Sequence, residues 1–82
     1  MNEIWERIKN QIKEELYYKD AKDEYILWIS QIKYLRTEGS TIFLGAASAF
    51  IKNQMKRRCY LNMIQKKINE YTNKDLSVEI EV

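Results

Sequence analysis

Residues that could carry out chemistry are few in this chain of 82 amino acids. The sequence contains no histidine and a single cysteine, Cys59. Without an imidazole there is no Ser-His-Asp or Cys-His nucleophile pair, and one cysteine forms neither an internal disulfide nor a cysteine metal cluster. The acidic pairs Glu14-Glu15 and Asp23-Glu24 are adjacent, and neighbouring residues of a helix do not face each other as an acid/base pair must. We therefore expect a protein that is not an enzyme and that holds no metal or cofactor.

The positive charge of the chain is concentrated in one stretch. The net charge is only +2, but residues 46–69 carry six basic and no acidic side chains: Lys52, Lys56, Arg57, Arg58, Lys66 and Lys67. A focused positive helix attracts phosphates, so Lys52, Lys56, Arg57 and Arg58 are candidates for nucleic-acid contacts. The same charges also keep a long surface helix soluble, and the sequence leaves both interpretations open.

Two aromatic residues are candidates for contacts with partners. Trp5 either closes the rim of the core or serves as an exposed anchor for another subunit, since aromatic residues are preferred at interfaces. Phe50 either covers the predicted hairpin or protrudes as a contact. Trp28 is expected in the core, and Cys59 is expected to be a small core residue.

Apolar periodicity predicts the helices that position these residues. Isoleucine or leucine recurs every four residues from Ile4 to Leu16, which is typical of one buried helical face. A second helix is predicted from the spacing of Tyr25, Trp28, Ile29 and Ile32, with a cap at Asp20. Ser48 is expected to cap a long third helix that runs to about Tyr71, in which one apolar row consists of Ile51, Met55, Cys59 and Met63.

Two β-prone runs and the last residues of the chain predict a small sheet. Residues 34–37 and 41–44 flank the turn Glu38-Gly39-Ser40 and indicate a hairpin. Residues 76–82 alternate apolar and polar side chains, as a strand with one solvated face does. The predicted order is α-α-β-β-α-β: a three-stranded sheet with helices packed on one face, in the α+β class, forming a single domain over residues 1–82.

The sequence predicts neither a secretory signal at its start nor a membrane-spanning segment. The first seven residues mix acidic and basic side chains and lack the layout of a secretory signal. The longest weakly polar run, residues 42–51, is far shorter than the roughly 20 residues that cross a bilayer. We expect a cytoplasmic protein that does not contact membranes.

Four short motifs, in this order, resemble a known family. They are Ile4-Trp5-Glu6-Arg7-Ile8, Glu24-Tyr25-x-x-Trp28-Ile29, Thr41-Ile42-Phe43-Leu44 and the run from Ser48 to Gln54. Together they resemble the N-terminal domain (domain I) of DnaA, the bacterial replication initiator, over essentially the whole chain. The resemblance implies a KH-like fold with the element order given above, and an interaction domain without hydrolytic activity.

The resemblance also implies roles for individual residues. Self-association of initiator molecules is implied for Trp5, with Ile4 and Ile8 beside it. Contact with the replicative helicase and with regulatory adaptor proteins is implied for Glu24 and Phe50. Weak binding of single-stranded DNA is implied as well, with the basic stretch as its candidate site. The family's ATPase would lie in a part of the protein outside this chain.

A second class of function is also compatible with the sequence. A stand-alone nucleic-acid-binding protein of KH-like shape would use the same basic stretch, and its affinity for single-stranded DNA would fall steeply with salt. An interaction domain would bind DNA only marginally.

Overall fold

The computed structural model of the protein describes all 82 residues. In chain order the elements are α1 (Asn2–Tyr18), α2 (Lys22–Glu24), a π-helical turn (Tyr25–Ile29), β1 (Lys33–Glu38), β2 (Thr41–Gly45), α3 (Ala49–Arg57), α4 (Tyr60–Thr72) and β3 (Ser77–Glu81). Helix α2 and the π-helical turn follow each other directly, and together they are called the second helix (residues 22–29).

The three strands form one mixed sheet in the order β1-β2-β3. Strands β1 and β2 pair antiparallel, and β2 and β3 pair parallel. Ile42 and Leu44 of β2 are buried, as are the alternate residues Val78 and Ile80 of β3, so the helices cover one face of the sheet. The predicted α+β fold with helices on one face is therefore confirmed, as are the hairpin and the final strand.

The core contains 14 buried residues, and all of them are apolar. It draws on every layer of the fold: Trp5, Ile8, Ile12, Ile29, Ile32, Ile42, Leu44, Ala46, Met55, Ile64, Ile68, Leu76, Val78 and Ile80. The predicted stripe of α1 is confirmed, because Ile8 and Ile12 are fully buried while Ile4 and Leu16 pack against them half-buried.

The second helix differs from the prediction at both ends. Asp20 does not cap it; Asp20 adopts a left-handed conformation with φ of 60°, and Ala21 precedes the helix without a side-chain cap. The helix widens into the π-helical turn, where the Ser30 N–H donates to the Tyr25 carbonyl at 2.8 Å. Ile32, which the spacing placed on this helix, lies beyond its end and is buried in the core.

The predicted long third helix is wrong, because the chain breaks it into α3 and α4. The start is as expected: the Ile51 N–H donates to Ser48 Oγ at 3.2 Å. Cys59 then adopts a left-handed conformation with φ of 61°, and a new helix begins at Tyr60. This turn interrupts the apolar row, so Cys59 is exposed and is not the core residue that the spacing predicted.

Strand β3 is fastened to α4 by two polar side chains. The Asn69 amide donates to the Leu76 carbonyl at 3.1 Å and its oxygen accepts from the Leu76 N–H at 2.8 Å. The Val78 N–H donates to Gln65 Oε1 at 3.1 Å. These hydrogen bonds fix the register of the strand that completes the sheet.

Candidate interaction surfaces

Glu24, the last residue of α2, accepts hydrogen bonds from three side chains. Arg58 Nη1 and Tyr60 Oη each donate to Oε1 at 2.8 Å, and Trp28 Nε1 donates to Oε2 at 3.1 Å. The hydrogen bond from Tyr60 is the largest cause that lowers the pKa of Glu24; Trp28 and the charge of Arg58 add to it, and burial opposes it. Burial, followed by the same hydrogen bond, raises the pKa of Tyr60 to about 12. Glu24 is thus an ionised carboxylate that joins three segments of the chain.

The break between α3 and α4 makes this convergence possible. Arg58 and Tyr60 are two positions apart, and residues so spaced in a continuous helix point in nearly opposite directions. The left-handed Cys59 between them redirects the chain, and both side chains reach the same oxygen of Glu24. Sequence periodicity contains no signal for this arrangement, because the apolar row continues from Met55 to Met63 without a glycine or proline.

Phe50 lies at the start of α3 and protrudes into solvent. Its side chain is 60% exposed, and its ring centre lies 5.8 Å from that of Trp28. The Arg58 guanidinium lies over the Trp28 ring at 4.9 Å from its centre. The protruding interpretation of Phe50 is therefore the one that the structure supports. Trp28 is only half-buried; it packs against the core and forms part of the surface beside Phe50.

Arg57 completes this surface. It lies seven positions after Phe50, which places both on one side of α3. Arg57 is exposed and takes part in none of the four ion pairs of the molecule. The surface formed by Glu24, Trp28, Phe50, Arg57 and Arg58 is called the Phe50 face.

The predicted basic candidates differ in their exposure and in their ion pairing. Arg58 forms an ion pair with Glu24. Lys52 is half-buried, and its charge adds to the hydrogen bond from Arg36 that chiefly lowers the pKa of Glu81. Lys67, which belongs to the same basic stretch but is not one of the predicted candidates, forms an ion pair with Glu15 at 2.6 Å. The basic side chains of this stretch that are exposed and in no ion pair are Lys56, Arg57 and Lys66.

The structure corrects the interpretation of Trp5 as an exposed anchor. Trp5 is only 1% exposed, and its Nε1 donates to the Ile32 carbonyl at 3.2 Å. Ile8 is fully buried and Ile4 is half-buried. The indole is buried because Trp5 lies close enough to the apolar stripe of α1 to reach Ile32, in the loop after the second helix. A partner therefore cannot reach the Trp5 side chain in this conformation.

The exposed side of α1 is polar and carries opposite charges at its two ends. Glu3, Glu6, Asn10 and Lys13 recur at intervals of three and four residues, so they lie on one face, and all are exposed. They line an open groove of about 590 Å³ together with Arg7, Lys9 and Tyr25. These four residues are called the α1 stripe. The apolar periodicity of α1 contains no signal for these four residues, because they are polar.

None of the helices combines the length and the apolar character required to traverse a lipid bilayer.

Comparison with known proteins gives consistent matches. The family model described as DnaA N-terminal domain matches residues 2–70. The chromosomal replication initiator protein DnaA of Treponema denticola is 33% identical over 76 residues, which cover 93% of this chain and 15% of that protein. The proteins of the same description from Caldanaerobacter subterraneus subsp. tengcongensis and Thermoanaerobacter sp. strain X514 are each 35% identical over 78 residues, covering 95% of this chain and 16% of theirs. The chain thus spans less than a fifth of the length of these curated relatives.

Proposed function

This chain belongs to the DnaA N-terminal domain family, and from that premise we propose that its 82 residues form one protein-interaction domain of a replication initiator. It associates with other initiator molecules and recruits the replicative helicase or regulatory adaptor proteins at the origin, in the cytoplasm and away from membranes. The domain works by recognition and carries out no reaction itself; the family's ATPase lies outside the matched segment.

The exposed Phe50 is the observation that carries the helicase part of this proposal. An aromatic ring that is 60% exposed and lies against a second aromatic ring offers a rigid apolar contact. Such side chains provide a large share of the binding energy at protein interfaces. The Phe50 face also includes Glu24, the other residue for which the resemblance implies helicase contact.

Binding of the purified replicative helicase from the same organism tests this assignment. Phe50→Ala is expected to weaken binding about tenfold or more in a titration by calorimetry. Tyr18→Ala is a matched control, because Tyr18 is 92% exposed and lies at the end of α1, outside the Phe50 face. Equal losses in both variants, or no loss in Phe50→Ala, would contradict the proposal.

Self-association is proposed for the α1 stripe rather than for the buried Trp5. Glu3 and Glu6 lie in the N-terminal half of the stripe, and Lys13 lies at its C-terminal end. When two copies pair around a two-fold axis that crosses α1, the acidic end of each stripe meets the lysine of the other. Exposed ion pairs are weak, so this contact becomes effective when many initiators are held side by side.

Charge exchange within the stripe tests this contact. Glu6→Lys and Lys13→Glu are each expected to weaken dimerisation in sedimentation at low salt, and the double variant is expected to restore it. Glu79→Lys, on the outer face of β3, makes the same change in net charge as Glu6→Lys and should leave dimerisation unchanged. Failure of the double variant to recover would exclude the reciprocal pairing. Trp5→Ala is not suitable here, because removing a buried tryptophan costs about 3–5 kcal/mol of folding stability.

Binding of single-stranded DNA is a second candidate function, favoured by the exposed and unpaired Lys56, Arg57 and Lys66. A titration of a thymidine oligonucleotide at several salt concentrations separates the two functions. A dedicated nucleic-acid binder gives tight binding that falls steeply with salt and is lost when Lys56 and Arg57 are neutralised. The proposed interaction domain gives only marginal binding at low salt.

A further inference from the structure

We propose that the Phe50 face recognises a short acidic segment with one apolar side chain, and that Glu24 braces this face internally instead of contacting the partner. The inference rests on the proposed function, because it specifies the chemistry of the partner that the same face recruits. It reverses the expected role of Glu24 from a recognition residue to a positioning residue.

The hydrogen bonds of Glu24 are the first support. A carboxylate has about four acceptor positions, and three of them are occupied by Arg58, Tyr60 and Trp28. The charge of Glu24 is compensated by the Arg58 guanidinium at 2.8 Å, and only 33% of its side chain is exposed. A partner therefore meets little free negative charge at this position.

The second support is the arrangement of Arg58, Trp28 and Phe50, which these hydrogen bonds stabilise. Arg58 is fixed by Glu24 on one side and by Gln54, to which its Nε donates at 3.0 Å. In this position the guanidinium stacks on Trp28, and the Trp28 ring in turn contacts Phe50. Glu24 thus orders a row of cation, indole and phenyl groups at the surface.

The third support is the charge of the chain segment that carries the protruding ring. Residues 46–69 contain no acidic side chain, and Arg57 lies on the same side of α3 as Phe50 without an ion pair. One apolar contact beside one unpaired cation is complementary to an apolar side chain next to a carboxylate. A polyanion such as DNA requires several cations along its backbone. The other two unpaired basic residues of this stretch are Lys56 and Lys66, and Lys66 lies on a different helix, α4. The face therefore fits a short acidic segment better than a nucleic acid.

A fluorescein-labelled ten-residue peptide with four glutamates and one central phenylalanine is the probe. Binding is followed by anisotropy and by the two indole N–H resonances in NMR. We expect the Trp28 indole signal to shift on titration, while that of Trp5, which is buried and bonded to Ile32, stays in place. A peptide with lysines in place of the glutamates is expected to bind at least about tenfold more weakly.

Three variants assign the roles. Phe50→Ala and Arg57→Gln are each expected to weaken peptide binding severalfold, whereas Lys66→Gln, which removes an unpaired basic charge on α4, is expected to leave it unchanged. Glu24→Gln keeps the size of the side chain but removes its charge. Glu24→Gln is expected to broaden or move the Trp28 indole signal in the free protein. Glu24→Asp keeps the charge but is not expected to restore the signal of the parent protein, because the shorter side chain does not reach Arg58.

The outcomes separate this inference from the proposed function. If the helicase binds through Phe50 but the acidic peptide does not compete and Arg57→Gln has no effect, the inference is overturned while the proposed function stands. If the peptide binds as described but the helicase does not bind, the recruitment proposal fails and the chemistry of the face is supported. Preferential binding of a thymidine decamer, with the same dependence on Phe50 and Arg57, would overturn the choice of an acidic peptide.

Discussion

At the scale of single residues, the carboxylate of Glu24 shows how one side chain couples distant parts of the chain. Its hydrogen bonds join the second helix to the end of α3 through Arg58 and to the start of α4 through Tyr60. Hydrogen bonds to a charged group contribute more to stability than neutral ones. The residue therefore contributes to the fold as well as to the surface that we propose for partners.

The lowered pKa of Glu24 has a defined consequence for acid stability. The folded protein stabilises the ionised form of Glu24 more than the unfolded chain does. The resulting contribution to folding stability is therefore present at neutral pH. It is lost as the pH falls through the pKa of the folded state, which lies below the ordinary value of 4.5. Glu24→Gln is expected to lower the free energy of unfolding at pH 7 by about 1–3 kcal/mol. The loss of stability between pH 7 and pH 3 should then be smaller than in the parent protein.

Urea unfolding at the two pH values measures this difference. Glu14→Gln is the control, since Glu14 is exposed and forms no ion pair. The same acid dependence in the parent protein and in Glu24→Gln would show that the carboxylate does not contribute in this way.

Individual residues were harder to place from sequence than the elements that carry them. The apolar period located Ile8 and Ile12 in the core because burial of a helical stripe repeats along the chain. It did not decide whether Trp5, at the edge of the stripe, was buried. That depended on the Ile32 carbonyl, which accepts from the indole and comes from a different segment.

At the scale of elements, the division between α3 and α4 is the main departure from the sequence prediction. Neither glycine nor proline marks the division, and a cysteine adopts the left-handed conformation that glycine usually occupies. The three basic residues before it lie at the C-terminal end of α3, where cations interact favourably with the helix dipole. The hairpin and β3 were predictable because turn residues and strict alternation are local signals, whereas this break is stabilised by tertiary contacts to Glu24.

Replacement of the left-handed residue tests whether the break is strained. Cys59→Gly is expected to raise the free energy of unfolding by up to about 1 kcal/mol. A side chain in the left-handed conformation costs about 1–2 kcal/mol, and glycine removes this cost. The greater freedom of glycine in the unfolded chain offsets part of the gain. Lys56→Gly, one turn earlier within α3, should instead cost about 1 kcal/mol. Thermal unfolding under reducing conditions measures both, and a loss of stability in Cys59→Gly would contradict the expectation.

At the scale of the whole molecule, one apolar core connects all the elements. Its 14 residues come from α1, the second helix and the loop after it, β2 and β3 with the loops that adjoin them, α3 and α4. The second helix contributes Ile29 to this core and also carries Trp28, half-buried at the surface. We therefore expect the proposed partner surface and the core to unfold together.

The two tryptophans allow this cooperativity to be measured. Trp5→Phe leaves Trp28 as the only indole, at the Phe50 face, and Trp28→Phe leaves Trp5 in the core. In each variant, the fluorescence transition in denaturant is expected to have the same midpoint as the circular dichroism transition of that variant. An earlier fluorescence transition in the variant that retains Trp28 would mean that the second helix separates from the core before global unfolding.

The parallel pairing of β2 with β3 determines the order in which the sheet can be completed. The hairpin pairs β1 with β2, which are close in sequence. Thr41 of β2 pairs with Ser77 of β3 only after α3 and α4 have returned the chain across the sheet. During refolding, the edge of β2 that pairs with β3 therefore stays open until β3 docks, and the apolar residues Ile42 and Leu44 lie on that incomplete sheet. Asn69 fixes the start of β3 through its two hydrogen bonds to Leu76. Asn69→Ala should therefore delay the docking of β3 and cause aggregation that increases with protein concentration during refolding. The last strand to pair would then determine the yield of soluble domain.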